Sequence, residues 1–455
     1  MHSGSGSGQP GVLGLIKTSL ALYYQKLPGT LHFQTLNSEI TAGPFQVNKA
    51  LSPWQKTAVV RRAGISSFGV GGTNAHVVLE EAPPLESRSE SRVGHHTLAL
   101  SHRSAEGLDA MRSQALDHLK QHPVTDLATA YNAGRKQFDQ RQTLIVTPQG
   151  EVVANPSGKV RPTSLVWVFP GQGSQLWGMG QELYAQDIAF RAVLDEVAAR
   201  ILTITGMDFK AVYWHSEKAP IRNTKQSQLG LFAIGYALGK TLLNRGLRPD
   251  AMLGHSVGEW VAASLSGIFT LDDVIRVLSL RGTLMEALPL GAMLSVRSDL
   301  AKAMSLKPSD IDLAAANGAA QQVFSGPETG IEHFAAILQN QGFASRRLET
   351  NHAFHSWMVE SVCEKLAEEL LSVTWQPMTI PLISTVHGAW LKGEEAHDPR
   401  YWAQHARVPV RFQSAIETAA AMGALILCEL GPRLVCSNLS RKALSKDSLV
   451  CPALG

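Results

Sequence analysis

The residues best suited to chemistry lie in the segment AMLGHSVGEWVAASLSG, residues 251–267, where residues 254–258 match the pattern G-x-S-x-G. Apolar residues before the pattern predict a strand, and the residues after it predict a helix. The two glycines permit a sharp turn that lifts the Ser256 hydroxyl above the sheet, with the next backbone N–H groups facing a developing oxyanion. Short motifs also arise by chance, but the strand and helix on either side favour a nucleophilic serine.

A serine nucleophile needs a base, and histidine is the usual partner. Of the 16 histidines, His255 adjoins the serine and is expected to point away from it at the turn, as a hydrogen-bonding residue. The cluster NHAFHSWM supplies His352 and His355, about 100 residues downstream of Ser256. Spacing alone does not choose between these two.

One arginine has the pattern of a buried cation. In the predicted helix LDDVIRVLSLRGTLMEAL, Val274, Leu278, Arg281 and Met285 recur at helical spacing, so Arg281 lies on the apolar face. A buried guanidinium requires an anion. That anion is either a ligand or an internal carboxylate such as Glu259, and position alone favours neither.

A glycine-rich loop, FPGQGSQ at residues 169–175, follows a predicted buried strand, so its backbone N–H groups could meet an anion or an oxyanion. No Gly-Lys-Ser/Thr follows it, and it lacks G-x-G-x-x-G. Nucleotide binding is therefore disfavoured.

Composition excludes several classes of protein. The chain has 455 residues, of which 44% are apolar and 17% charged, with a net charge of +3. This predicts about three folded domains and no nucleic-acid surface. The cysteines, Cys363, Cys428, Cys436 and Cys451, match no zinc or compact disulfide pattern. No apolar run approaches about 18 residues and no signal peptide is present, so we expect a cytoplasmic protein without a membrane partner.

The elements that must position these residues form an alternating pattern. Residues 1–10 resemble an expression tag and spacer. A helical run begins at Gly11, strands flank a glycine-rich turn after residue 58, and a break falls at Pro83 and Pro84. Residues 84–164 predict a small α/β linker domain with a strand, two helices and a hairpin. Residues 165–446 alternate strand and helix, which favours a mainly parallel α/β sheet.

Taken together, FPGQGSQ, GHSVGE, the RG of LSLRGTLME, HAFHS and the ELGP of CELGPRL resemble the acyltransferase domain of a modular type I polyketide synthase, related to malonyl-CoA:acyl-carrier-protein transacylase. Residues 11–83 resemble the C-terminal end of the preceding ketosynthase, through GVLGLIKTSLAL, LSPW and GISSFGVGGTNAHVVLEEAP. The resemblance implies an α/β-hydrolase-like core with a ferredoxin-like subdomain inserted at about residues 292–350, and a tail at 447–455. The ketosynthase nucleophile and catalytic histidines would lie upstream of Gly11, so we expect no condensing activity, and His76 to be structural.

The resemblance also implies roles for residues of the site. Ser256 would be acylated and His355 would be the general base, oriented by a backbone carbonyl near Arg411. Backbone N–H groups of Gln172 and Val257 would form the oxyanion hole, and Arg281 would bind the free carboxylate of a dicarboxylic acyl group. His255 and Phe354 would also contact substrate, and no metal or tightly bound cofactor would be needed.

We therefore expect an enzyme that moves an acyl group from acyl-CoA to the phosphopantetheine thiol of an acyl carrier protein, beside the ketosynthase of its module. The sequence HAFH, where methylmalonyl-type domains tend to have YASH, and Val257, where that type more often has Gln, favour malonyl as the acyl group. The alternative for Phe354 is a core aromatic. Alternative functions are transfer of methylmalonyl or another acyl group, thioester hydrolysis and non-catalytic docking.

Overall fold

The structure is a computed structural model that describes residues 10–41, 43–56, 59–69, 71–83, 95–133, 135–159, 163–215, 221 and 223–454. The predicted tag, apart from Pro10, lies outside the described residues, as does Pro84. The chain divides into two compact units, residues 1–91 and 92–455. No helix among the described residues has the length and apolar character needed to span a bilayer.

The first unit contains the predicted helix and the predicted strands around a glycine-rich turn. Its elements are α1 (Pro10–Tyr24), β1 (Lys26–Leu27), β2 (Ser52–Pro53), β3 (Arg62–Phe68) and β4 (Asn74–Glu80). Strands β3 and β4 form an antiparallel hairpin against α1. Among the unit's described residues, the buried side chains are Thr18, Ala21, Leu22, Arg61 and Ile65. This core is small, as the sequence predicts for so short a segment.

The second unit begins with the predicted linker domain. Its elements are β5 (His96–His102), α2 (Ala105–Leu119), α3 (Val124–Asn132), β6 (Gln140–Val146), β7 (Val152–Ala154) and β8 (Ser157–Lys159). The strands pair antiparallel around β6, and both helices contribute to a separate core with the inward side chains of β5 and β6. Ser104 caps α2 by accepting a hydrogen bond from the amide of Gly107, which fixes where that helix begins.

The large region of residues 164–452 is an α/β sheet covered by helices. Before the inserted subdomain its elements are β9 (Ser164–Phe169), α4 (Gln181–Gln186), α5 (Ile188–Thr205), a π-helix (Ala211–His215), α6 (Thr224–Asn244), β10 (Ala251–Gly254), α7 (Val257–Ser266) and α8 (Leu271–Glu286). Strands β9 and β10 are continuous apolar runs, as expected for strands covered on both faces.

The inserted subdomain contains β11 (Ala292–Val296), α9 (Leu300–Leu306), β12 (Asp312–Gly318), β13 (Gln321–Gly326), α10 (Glu328–Asn340) and β14 (Ser345–Arg347). The strands pair antiparallel in the order β12-β13-β11-β14. This β-α-β-β-α-β arrangement confirms the predicted ferredoxin-like subdomain. Strand β12 lies at one edge of its sheet, which matters for the site described below.

The chain then returns to the large region. The remaining elements are a 3₁₀ turn (Trp357–Val359), α11 (Glu360–Leu370), β15 (Leu382–Ser384), β16 (Ala389–Trp390), α12 (Gly393–Ala396), α13 (Pro399–Gln404), α14 (Phe412–Ala420), β17 (Leu425–Glu429), α15 (Val435–Ser440) and β18 (Leu449–Pro452). Strand β18 lies within residues 447–455, which the sequence assigns to a tail. Four residues are too few to show the periodicity of a strand.

Six of the described strands form the main sheet, in the order β16-β15-β10-β9-β17-β18. All neighbours are parallel except β15 and β16, which confirms the predicted mainly parallel α/β fold. Gly254 and Phe169 are register partners at the carboxyl ends of β10 and β9. The loops that follow these two central strands therefore lie side by side, at the edge where α/β sheets place their sites.

Candidate active site

Ser256 occupies a strained turn between β10 and α7. Its φ is 50° and its ψ is −121°, a conformation that L-residues other than glycine rarely adopt. A Cβ on Gly254 would overlap the backbone of Gly258 and Glu259, and a Cβ on Gly258 would overlap the carbonyl of Phe169. Both glycines of the motif are thus required by close backbone approach.

His355 is the histidine that the structure brings to the serine. Its Nε2 lies 2.8 Å from Ser256 Oγ, and its Nδ1 donates to the carbonyl of Val408 at 2.8 Å. A carbonyl only accepts, so Nδ1 carries the hydrogen and Nε2 presents a lone pair to the serine hydroxyl. The sequence predicts that this carbonyl lies near Arg411, and Val408 is three residues before it.

His352, the other histidine of the cluster, has a different environment. It is 6% exposed, and among the described residues its Nδ1 has no hydrogen-bond partner. Its ring lies 6.0 Å from that of Phe354, centroid to centroid. Phe354 is 9% exposed and belongs to the main core, and its role in specificity stays a prediction.

The environment of His355 keeps its imidazole neutral. Burial holds the pKa of His355 well below its usual range, and the neighbouring Arg281, His405 and His255 lower it further. The hydrogen bond to Val408 acts in the opposite direction and raises the pKa. A neutral imidazole can accept a proton from a serine hydroxyl, as a general base must.

Arg281 lies on the inward face of α8, as its spacing predicts, and is 2% exposed. Burial lowers the pKa of its guanidinium to about 10, which still leaves it charged at neutral pH. None of the carboxylates that the structure describes pairs with it, and its Nε has no partner there. A buried cation without a carboxylate beside it attracts an anionic ligand strongly.

Glu259, the internal carboxylate that the sequence offered to Arg281, is used elsewhere, so that interpretation is wrong. One carboxylate oxygen accepts hydrogen bonds from the backbone N–H (2.8 Å) and the hydroxyl of Thr385, and the other accepts from Tyr401 Oη. His405 Nε2 lies 3.6 Å away. Glu259 follows Ser256 by only three residues, and its position on α7 turns it toward α13 instead of α8.

The loop after β9 lies directly against the serine turn. The amide of His255 donates to the carbonyl of Phe169 at 2.8 Å, and a Cβ on Gly171 would lie only 2.7 Å from the His255 carbonyl oxygen. This contact brings the loop that carries Gln172 beside Val257, the first residue of α7. The first N–H groups of a helix have no partner within it, so the amide of Val257 is available to an oxyanion.

His255 points away from Ser256, as expected from its place at the turn. Its Nε2 lies 2.8 Å from Asn317 Oδ1, at the end of β12. Desolvation lowers the pKa of His255, although the hydrogen bond to Asn317 raises it in part. The side chain therefore links the serine turn to the inserted subdomain, and its predicted contact with substrate stays a prediction.

Sequence reasoning missed Gln228 on α6. This side chain is 1% exposed, and its Nε2 lies 3.4 Å from Gln172 Oε1 and 3.5 Å from Met285 Sδ, one helical turn beyond Arg281. Its Oε1 has no partner among the described residues. The available signal was an amide directly before the apolar run LGLFAIGYALG, since buried amides are usually satisfied.

Within the described ranges, no group of three or more His, Cys, Asp and Glu side chains is placed to hold a metal ion. The four cysteines are unpaired thiols. The chemistry that the arrangement can perform is attack by a serine hydroxyl activated by a neutral imidazole, close to a buried cation.

Comparison with protein families identifies the class of this site. Residues 166–454 match the family model for the acyl transferase domain, and residues 37–145 match the ketoacyl-synthetase C-terminal extension. The first match covers more than half of the chain, so the chain belongs to the acyl transferase domain family. Both matches confirm the resemblance drawn from the motifs.

Proteins similar to this chain are longer than it is. The chain is 33% identical over 452 residues to one of the phenolphthiocerol/phthiocerol polyketide synthase proteins of Mycobacterium tuberculosis (strain CDC 1551 / Oshkosh). That alignment covers 93% of this chain and 30% of the synthase, so the chain spans about a third of the relative's length.

Solved structures share the fold. The acyl transferase domain of SpnD in complex with 2-(pent-4-yn-1-yl)malonyl is 27% identical with a TM-score of 0.71, covering 79% of this chain and 90% of that one. Malonyl-CoA:acyl carrier protein transacylase (FabD) from Xanthomonas oryzae pv. oryzae is 27% identical with a TM-score of 0.59, covering 64% of this chain and 95% of that one. The chain is thus similar to domains that handle malonyl-type groups.

Proposed function

We propose that this protein transfers an extender unit, malonyl, from malonyl-CoA to the phosphopantetheine thiol of an acyl carrier protein, by a ping-pong mechanism through acyl-Ser256. The observation that carries the proposal is the contact of 2.8 Å between Ser256 Oγ and His355 Nε2, with Nδ1 held by the Val408 carbonyl. A serine and a neutral histidine in this geometry form the nucleophile and base of covalent acyl transfer.

In the first half-reaction Ser256 Oγ attacks the thioester carbonyl while its proton moves to His355 Nε2. The carbonyl electron pair moves onto oxygen, and the amides of Gln172 and Val257 stabilise that oxyanion. When the intermediate collapses, the carbon–sulfur bond breaks and His355 returns the proton to the CoA sulfur. The product is an ester of Ser256 and free CoA thiol.

The second half-reaction reverses these steps with a different thiol. The phosphopantetheine thiol gives its proton to His355 and attacks the ester carbonyl. The serine oxygen then leaves and recovers the proton, which regenerates the free enzyme and an acylated carrier protein. One thioester is exchanged for another, so the reaction needs no energy source and no redox cofactor.

The choice of malonyl is supported by Arg281. A buried guanidinium that no described carboxylate neutralises would pair favourably with the free carboxylate of malonyl, through two parallel hydrogen bonds. Acetyl offers no such charge. The malonyl-type ligand of SpnD and the malonyl-CoA substrate named for the Xanthomonas transacylase agree with a dicarboxylic acyl group.

The deciding experiment is measurement of intact protein mass after brief incubation with equal concentrations of malonyl-CoA, methylmalonyl-CoA and acetyl-CoA. We expect one malonyl group per chain, located on Ser256 by peptide mapping, and its release on addition of a phosphopantetheinylated carrier protein. Rapid loss of the acyl group to water without a carrier would instead indicate a thioester hydrolase. Absence of any covalent acyl group would indicate a docking role.

A further inference from the structure

Two separate segments must meet for His355 to be oriented. One is the base loop, defined here as residues 350–357, which contains His355. The other is the carbonyl segment, defined here as residues 405–411, which contains Val408. Val408 follows His355 by 53 residues, so the contact between them depends on tertiary structure.

Edge strand β12 of the inserted subdomain holds one end of the carbonyl segment. The amide of Val410 donates to the carbonyl of Ala314 at 2.9 Å, and the amide of Ala316 donates to the carbonyl of Val410 at 2.9 Å. This pair of bonds forms a parallel bridge between Val410 and Ala315. The segment is therefore fixed to β12 just after Val408.

The first residue of β12, Asp312, touches both segments. Its Oδ2 accepts a hydrogen bond from the backbone N–H of Trp357 at 2.8 Å and lies 3.1 Å from Nη2 of Arg407. Trp357 is two residues after His355, and Arg407 immediately precedes Val408. One carboxylate oxygen thus joins the residues that flank the base and its carbonyl acceptor.

The backbone of the base loop is strained at His355 and must be held by neighbouring contacts. His355 has a φ of 58°, and among the described non-glycine residues of the second unit only Ser256 shares a positive φ. A backbone of this kind persists only where neighbouring contacts hold it. The bond from Trp357 to Asp312 is a long-range contact placed two residues after the strained residue.

We propose that Asp312 is a positioning residue that holds His355 against the Val408 carbonyl, and thereby fixes the tautomer whose Nε2 faces Ser256. The proposal rests on the function proposed above for Ser256 and His355. Asp312 touches neither substrate nor the reacting atoms, and it acts through the backbone of the base loop.

Glu360 provides a matched control. Its carboxylate also binds Arg407, with Oε2 2.8 Å from Nε, but no hydrogen bond in the described ranges joins that carboxylate to the base loop. Asp312→Ala and Glu360→Ala each remove one carboxylate from the same arginine. Only the first removes the link to the amide of Trp357.

The first test measures single-turnover acylation of the full chain by malonyl-CoA. We expect Asp312→Ala to slow acylation by about 10- to 100-fold, taken by analogy from the loss of groups that orient a metal-bound histidine. Glu360→Ala should change it by less than about 5-fold, as for an exposed ion pair. Asp312→Asn, which keeps an acceptor for the amide, should lie between them and serves if the alanine variant fails to fold.

The pH profile separates positioning from a structural role. The Val408 hydrogen bond raises the pKa of His355, while burial and the facing groups Arg281, His405 and His255 lower it. If the hydrogen bond to Val408 is weakened, the groups that lower the pKa of His355 still act, so this pKa should fall. The acid limb of acylation should therefore move to lower pH in Asp312→Ala and not in Glu360→Ala. Equal rates and equal acid limbs in the two variants would overturn the proposal.

A second test needs no acyl substrate. Nitrogen-15 NMR of the free enzyme should show His355 with its hydrogen on Nδ1 in the wild type and in Glu360→Ala, and a mixture of tautomers in Asp312→Ala. If the wild type is never acylated, the proposed function fails while this measurement still decides the role of Asp312. An unchanged tautomer in Asp312→Ala would refute the positioning role.

Discussion

Ser256 and His355 both have a positive φ, of 50° and 58°, but the protein holds the two backbones by different means. The serine turn is held by close approach of backbone atoms around Gly254 and Gly258, within one strand–helix junction and the neighbouring loop. The base loop is held by side-chain and backbone contacts to residues 45 or more positions away. The nucleophile is thus shaped mainly by backbone sterics at its own strand–helix junction and at the adjacent end of β9, whereas the base depends on hydrogen bonds to distant segments.

The largest expected effect comes from replacing Ser256 in the serine turn. Ser256→Ala should abolish acyl loading, because no other atom at the turn can form the ester, and should leave the melting temperature unchanged. The only side-chain bond lost among the described residues is that to His355. Intact mass after incubation with malonyl-CoA measures the loss.

Ser264→Ala is the matched control for this variant. Ser264 lies on α7, the helix that follows Ser256, and its hydroxyl donates to the Trp260 carbonyl, away from the site, so its variant should load normally. Full-rate loading of Ser256→Ala would contradict the assignment of the nucleophile.

In the base loop, His355→Ala should slow self-acylation by a factor on the order of 10² to 10⁴, the range for loss of a general base. Quenched single-turnover assays with malonyl-CoA provide the rate. His352→Ala is the comparison variant, because His352 is also buried but makes no described bond to Ser256. Equal losses in both variants would show that the cluster acts as a packed unit.

Arg281 tests whether the site selects an anion. Arg281→Ala should weaken malonyl transfer by about 2–5 kcal/mol, as for a buried charge pair that loses one partner, and raise acetyl transfer relative to malonyl. Competition between malonyl-CoA and acetyl-CoA, analysed by intact mass, gives both numbers.

Arg276 on the same helix serves as the control for Arg281. It is partly exposed and paired with Asp273 and Glu369, so Arg276→Ala should leave the acyl preference unchanged. If Arg281→Ala kept the preference for malonyl, the arginine would be structural.

The same difference between local and long-range support explains what sequence alone could predict. The serine turn follows from five consecutive residues, and the inward face of Arg281 follows from helical spacing. The Val408 acceptor could be placed only approximately, because a backbone carbonyl carries no side-chain signature. Asp312 resembles any acidic residue at the start of a strand, so its contacts with Trp357 and Arg407 could not be foreseen.

The secondary structure shows the same difference between elements with a local sequence pattern and elements that depend on long-range pairing. Buried strands such as β9 and the amphipathic helix α8 are evident from their patterns, and the ferredoxin-like subdomain follows from family resemblance. Strand β18 is not evident, because its four residues are too few to show a periodic pattern and only its pairing with β17 makes it a strand. The π-helix at Ala211–His215 likewise has no periodic signal of its own.

Replacing Phe354, which precedes His355, should have a smaller effect, on the choice between malonyl and methylmalonyl. A ring at this position should crowd the Cα substituent of methylmalonyl. Phe354→Ser should therefore reduce the preference for malonyl over methylmalonyl by about 1–3 kcal/mol, the binding free energy that one methyl group contributes in a pocket. Equal concentrations of the two CoA esters in one competition assay measure the ratio. Phe354→Leu retains apolar bulk and should change it less.

Two outcomes would contradict this prediction about Phe354. Dominant methylmalonyl loading in the wild type would show that the ring does not exclude the substituent. A lower melting temperature with an unchanged ratio would assign Phe354 to the core alone, in keeping with its burial.

The smallest expected effect is the response of acylation to pH, and it isolates the base from the nucleophile. Because burial and Arg281 hold the pKa of His355 below 6.5, more than half of the imidazole is neutral at that pH. The single-turnover acylation rate should therefore change by less than about twofold between pH 8 and pH 6.5, and fall only in more acidic solution. Acylation must be measured apart from transfer, since the carrier thiol ionises in alkaline solution, at about pH 8.5 for an ordinary thiol, and would add its own pH dependence. The serine hydroxyl does not titrate in this range, so an acid limb above pH 6.5 would mean that the His355 environment is more hydrated than its burial implies.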